Sequence, residues 1–230
     1  MTIRLPFSWA ALAEVRRRHG LSAMIQRVAS RLATRLLCLE VVEMVWLDVA
    51  DLPMSLVPDL QFECRFLAPA EVARFAQDSV NEIEPEFVRR AEVGRDRCFA
   101  ILDGERLAAY GWYALRSIEP EHSYGVGMSY PDDVAYMYKG LTMPDYRGRR
   151  LHGIGMALAL RELAASGVAR LISTVEWTNW GSLRSCQRLG YRRLGRLWVF
   201  RCRRFCRFRA PRAAHQRGVR FGPDATVESR

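Results

Sequence analysis

The run Leu141-Thr142-Met143-Pro144-Asp145-Tyr146-Arg147-Gly148-Arg149-Arg150 closes an apolar stretch and opens a helical one. A strand that ends in an Arg/Gly turn and starts a helix makes an anion site. The first N–H groups of a helix have no partner inside it, and its dipole favours negative charge there. Arg147, Arg149 and Arg150 add charge-assisted hydrogen bonds, so the turn suits a phosphate-bearing ligand. A second group that could do chemistry is Glu176, the only acid in the strand before Asn179. Tyr136 and Tyr138 alternate along an earlier strand and share one of its faces. The cysteines (Cys38, Cys64, Cys98, Cys186, Cys202, Cys206) are scattered, and Cys202 and Cys206 have no second ligand pair at zinc spacing. They read as reduced structural thiols, and no metal is expected.

Local signals define the elements that must position these groups. Gly20 separates two helical stretches. Leu21, Met24, Ile25, Val28, Leu32 and Leu36 recur at helical spacing, with Arg27, Arg31 and Arg35 as a ridge beside them. Val41–Val49 is β-branched and apolar and reads as a strand; Pro53 and Pro58 mark a loop. Gln61–Leu67 reads as a strand, and Pro69 suits the first position of a helix running to about Asp78. Asn81–Arg90 runs from acidic to basic, as a helix dipole prefers. Two apolar runs, Cys98–Leu102 and Leu107–Leu115, flank Asp103-Gly104 and predict a hairpin. Residues 117–133 read as a loop. Val134–Met143 reads as a strand, Leu151–Ser166 as a helix stopped by Gly167, and Val168–Trp177 as a strand. Asn179 or Ser182 caps a short helix that ends before Gly190, and Tyr191–Arg204 holds one or two last strands. A hairpin followed by a strand–helix–strand crossover predicts an α/β fold of mixed α+β character, with a twisted mixed sheet flanked by helices.

The stretch Val134–Tyr191 resembles the Gcn5-related N-acetyltransferase (GNAT) superfamily. The carrying residues are Leu141–Pro144, Asp145-Tyr146-Arg147-Gly148-Arg149, Gly167, Asn179-x-x-Ser182 and Leu189-Gly190-Tyr191. The resemblance implies a GNAT-like domain over residues 60–204, preceded by an N-terminal extension, 1–59, with a basic amphipathic helix. A basic, disordered tail is expected over 205–230. The implied function is transfer of an acetyl or longer acyl group from acetyl-CoA, or another acyl-CoA, to an amine. Cofactor contacts would come from Leu141, Thr142 and Met143 along the pantetheine arm. Arg147, Gly148, Arg149, Arg150, Leu151 and Gly153 would hold the pyrophosphate, with Asn179 and Ser182 beside them, and His152 is either a phosphate or water contact or a helix-surface histidine. The family loop carries small residues where the gap-free register places Arg150 and His152. A second register, Arg150-x-x-Gly153-x-Gly155, restores the glycines but shortens the helix.

By the same resemblance Glu176 is the candidate general base. Cys186 stands at the family's acid position, usually a tyrosine, as either a weak acid or a small packing residue. Tyr138 faces the cleft where the family's chemistry occurs. Glu82, Glu84 and Glu86 border the acceptor side and read either as a cation site or as a solvated helix start. The acceptor is a small-molecule or peptide amine of unspecified identity. An inactive CoA-binding module that keeps the fold is the other reading.

The net charge is +10, but it is uneven. Residues 1–40 hold seven Arg against Glu14 and Glu40, and residues 201–230 hold nine Arg against Asp224 and Glu228. The body between them is slightly acidic, so its anion affinity must be local. The apolar stretch Leu5–Ala13 precedes Arg16–Arg18, the reverse of a secretory signal, and a cytoplasmic protein is expected. Residues 21–37 have three open readings: a core helix, a contact with the inner face of an anionic membrane, or a homodimer surface. The Arg201–Arg212 cluster interleaves arginine with Phe205 and Phe208, yet no recognisable nucleic-acid motif accompanies it. Nucleic acid is therefore not the expected partner.

Overall fold

The computed structural model describes residues 9–53, 61–202 and 205–222. Pro58, the start of the Leu5–Ala13 stretch, Arg203, Arg204, Asp224 and Glu228 lie outside the described residues. In chain order the elements are α1 (Trp9–Leu37), β1 (Leu39–Asp48), β2 (Glu63–Phe66), α2 (Pro69–Ala76), α3 (Pro85–Glu92), β3 (Asp96–Asp103) and β4 (Arg106–Leu115). Then follow β5 (Ser117–Ile118), β6 (Gly127–Ser129), β7 (Val134–Thr142), α4 (Leu151–Ala164), β8 (Arg170–Glu176) and α5 (Trp180–Arg188). The chain closes with β9 (Arg192–Cys202), β10 (Phe205–Arg209), α6 (Arg212–His215) and β11 (Arg220–Gly222).

Eight strands form a mixed sheet in the order β10-β9-β1-β8-β7-β4-β3-β2. Only β7 and β8 run parallel, because α4 crosses over between them. Helices α4 and α5 cover one face, where Met156, Leu160 and Leu163 meet Val45, Leu47, Phe99 and Tyr113. On the other face α2 and α3 pack on Trp112 and its neighbours, and a small sheet, β11-β6-β5, covers the rest.

Two expectations about domain limits are corrected. The first concerns residues 1–59, which do not form a separate extension. β1 lies in the middle of the sheet, antiparallel to both β8 and β9. Val42, Met44 and Trp46 face one core, and Val45 and Leu47 the other. A strand buried on both faces is apolar at successive positions, as Met44–Leu47 is here, while the buried Glu43 carboxylate pairs with Arg196. The second concerns the tail. Residues 205–222 are folded: β10 pairs with β9, and β11 pairs with β6. Its Arg/Ala/Gly composition hides this, because Ala214 and Val219 suffice to anchor it in the core while the arginines stay outside. Residues 117–133, read as a loop, accordingly supply β5 and β6 to that small sheet.

Candidate active-site cleft

Parallel pairing of β7 with β8 ends at Met137 opposite Ser173. Beyond that point β7 follows β4 and β8 follows β1, so the two strands part. A cavity of ≈ 290 Å³ opens in the gap. Tyr138 and Gly140 of β7, Glu176 of β8, His152 of α4, Asn179, and Ser182 and Cys186 of α5 all line it, with Tyr124 from the β5–β6 connection. Tertiary structure thus gathers all three predicted catalytic residues around one space.

The anion turn lies at the adjoining end of β7. Gly148 has φ +85° and Arg150 has φ +61°, both left-handed. No side chain caps α4, and its first return bond runs from Ile154 N–H to Arg150 O. The N–H groups of Leu151, His152 and Gly153 therefore have no partner inside the helix. Helix α4 begins at Leu151, as the gap-free register requires, and Arg150 takes the conformation that glycine would adopt most readily. Arg147, Arg149 and Arg150 are exposed around this turn, and Arg149 lies over the Tyr146 ring at 5.6 Å. Gly153 faces Leu189, and a Cβ there would make an ordinary contact at 3.6 Å.

The predicted cofactor contacts are only partly borne by the geometry. Leu141 and Thr142 sit half-buried on the edge of β7, where Arg147 Nε approaches the Thr142 carbonyl at 3.4 Å. Met143 is a correction. Its N–H donates to Ala108 O, and its side chain joins the opposite core cluster, so neither faces the cleft. Asn179 Oδ1 accepts from Ser182 N–H at 3.2 Å and caps α5, which commits that oxygen to the fold.

His152 is not a helix-surface histidine: it is half-buried and lines the cleft. Its ring lies against β7 at Gly140, where a Cβ would stand 2.7 Å from Nδ1. A glycine inside a strand commonly marks such a close approach, and Gly140 was the available signal. Burial lowers the imidazole pKa, which keeps the ring neutral at pH 7. It makes no hydrogen bond to a described residue.

Neither Cys186, at the expected acid position, nor Tyr138, on the cleft, gives up a proton readily. Tyr138 gives its hydroxyl proton to Asp96 Oδ2 at 2.6 Å, and burial together with that carboxylate pushes its pKa well up. Its neighbour Tyr136 is fully buried and bonded to Thr174. Burial pushes the Cys186 thiol up to about 11. That lies above an ordinary thiol, so passing its proton to a leaving thiolate would be uphill, and its burial suits a small packing residue. At pH 8 about one Cys186 in a thousand would be thiolate. Alkylation of the native protein, read by mass spectrometry, should therefore label exposed Cys202 and Cys206 long before Cys186. Equal labelling would contradict the burial argument.

Glu176 keeps its candidacy. It is exposed at the end of β8, and no arginine or lysine among the described residues comes within 4 Å of it. Its neighbours are Glu40 and Tyr124. Burial raises the Glu40 pKa, Arg201 opposes this, and Glu176 adds to it. Burial and the two carboxylates push Tyr124 up to about 12. Tyr124 had no signal in the sequence, since its connection carries no periodicity. Glu82, Glu84 and Glu86 do not line this cavity; Glu86 pairs with Arg89, and the Glu82 carbonyl accepts from Lys139. Among the described residues no group of three metal-ligating side chains is gathered.

No family model matches the sequence, and no curated protein does. Solved structures do match. A GCN5-related N-acetyltransferase-like protein from Streptococcus suis superposes with TM-score 0.51 at 15% identity, covering 76% of this chain and 68% of that one. A GNAT-family acetyltransferase structure from Novosphingobium aromaticivorans gives 0.48 at 19% identity, covering 70% of this chain and 62% of its own. A GCN5-related N-acetyltransferase from Kribbella flavida gives 0.45 at 14%, covering 77% and 62%. This chain thus spans under two thirds of the length of the latter two.

Proposed function

We propose that this chain, which has the Gcn5-related N-acetyltransferase fold, moves an acetyl or longer acyl group from acyl-CoA directly to a primary amine. The observation that carries this reading is the parting of β7 and β8 over a cavity, beside a helix whose first N–H groups are unpaired. That combination fits a ligand with an anionic end and a slender arm. The turn Arg147–Arg150 and the start of α4 would hold the pyrophosphate. The free edge of β7 at Leu141 and Thr142 would bind the arm.

Bound acyl-CoA would supply the activated acyl carbon. The chain must then take a proton from the incoming amine. Glu176 is the carboxylate in the cavity that is not tied to a cation, and it acts as that base. With Glu40 it also makes the open end of the cleft favourable to a cationic amine. Neither Cys186 nor Tyr138 gives up a proton readily, so solvent protonates the leaving sulfur.

A thermal shift tests the ligand class. Acetyl-CoA at a hundredfold excess over Kd should stabilise the fold by about 2.7 kcal/mol, or roughly 5–10 °C in Tm. No shift at millimolar acetyl-CoA would sink the reading. A second reading is a CoA-binding module that performs no transfer. One observation favours it: Arg150 and His152 stand where the resemblance calls for small residues, and His152 fills part of the gap. A shift without turnover on any amine would select that reading.

A further inference from the structure

We infer that α1 and the β9–β10 edge form a docking surface for an anionic lipid bilayer. Beyond the kink at Gly20, the inner side of α1 is fixed to the body. Ala23 is buried, and Ser30 Oγ accepts from Trp177 Nε1 at 3.2 Å. Just before the kink, His19 packs on Trp180 and hydrogen-bonds Arg184. This attachment turns the apolar row outward. Leu21, Ile25, Leu32 and Leu36 are 53%, 55%, 37% and 72% exposed, and their spacing puts them on one stripe. Of the three open readings for this helix, a fully packed core row is not the one seen: four of its six apolar residues are exposed, with Met24 and Val28 half-buried.

The apolar surface continues past the helix. Leu39, two residues after α1, pairs with Phe200 of β9. Trp198, Phe200 and Phe205 are exposed there, and the Phe200 and Phe205 rings meet at 6.3 Å. β10 is the outer strand of the sheet, and all its residues are exposed.

Charge selects the occupant. Residues 9–37 carry six arginines and one acid, Glu14, and residues 205–222 carry five arginines and no acid. A second copy of this chain would bring like-charged surfaces together. A nucleic acid would use the arginines but leave the leucine row in water. An anionic bilayer takes both: the leucines and aromatics enter the acyl boundary, and the arginines reach the headgroups. No helix among the described residues is long and apolar enough to cross a membrane, so the contact is one of lying on the surface.

Co-sedimentation with phosphatidylcholine vesicles, with and without phosphatidylglycerol, tests this. The full chain should pellet only with the anionic vesicles, and less at high salt. Ile25→Asp with Leu32→Asp should weaken binding at least tenfold. Arg27→Gln with Arg209→Gln should weaken it roughly fivefold per arginine. Both variants should keep the wild-type melting temperature, which separates lost docking from lost folding. Absent binding, or equal binding to both vesicles, overturns the inference. So does a dimer in light scattering that the Ile25→Asp, Leu32→Asp variant dissociates, or tighter retention on nucleic acid than on vesicles.

Discussion

Glu176→Gln lowers the turnover of acyl transfer by about 10²–10⁴-fold, the range expected when a positioned general base is removed. The substitution keeps shape and polarity but cannot accept a proton. Glu176 ends β8 where the sheet opens, and its carboxylate contributes no ion pair among the described residues. Folding stability should therefore change little. The acetyl-CoA thermal shift should also persist, because the anion turn lies at the end of β7, across the cleft. A steady-state assay with a panel of amines and a melting curve with acetyl-CoA check both halves. An unchanged rate and pH profile would remove Glu176 from the role. His152 would then be the remaining base, since it is neutral and faces the same cavity.

Asp96→Ala destabilises the fold by about 3–5 kcal/mol, the usual cost of removing one partner from a buried ion-pair network. Arg90 clamps Asp96 with two hydrogen bonds, of 2.6 and 2.9 Å, while the side chains are 5% and 0% exposed. Arg90 also reaches Glu119. Burial alone would raise the Glu119 pKa, but the hydrogen bond and charge of Arg90 hold it below the usual carboxylate range. Removing Asp96 leaves the buried guanidinium with Glu119 as its remaining carboxylate and frees the Tyr138 hydroxyl. Tm should fall by roughly 10 °C. Replacing both partners together, Arg90→Met with Asp96→Leu, should recover much of the loss, since an apolar pair needs no compensating charge. Urea melts of the single and double variants make the comparison. A loss below about 1 kcal/mol for Asp96→Ala would mean that the network is solvated. The same variant reports on the cleft, because Tyr138 lines it and is held by Asp96.

The turn at Arg147–Arg150 and the crossover around it were legible because every signal there is local. Pro144 ends β7, Gly148 permits a left-handed turn, Gly167 stops the chain after α4, and Asn179 caps α5. The place of β1 was not legible. Leu39–Asp48 reads as a buried strand, but its partners come from the other end of the chain. Nothing within the segment names them. The tail failed for a related reason: β10 and β11 are held by β9 and β6 rather than by their own pattern.

The candidate site divides along the same line. Residue order alone supplied the anion turn, the carboxylate at the end of β8 and the helix that follows it. Caps, breakers and periodicity act over a few residues, and a chain read in order displays them. Which groups share the cleft was decided by folding. His152 enters it because Gly140 leaves room, the Tyr138 hydroxyl is held by Asp96 at its wall, and burial pushes the Cys186 thiol up. The exposure of the leucine row of α1 is decided in the same way, because Ala23 and Ser30 take the inner side. Burial and pairing depend on neighbours distant in sequence, and those neighbours set both the proton chemistry and the exposed face.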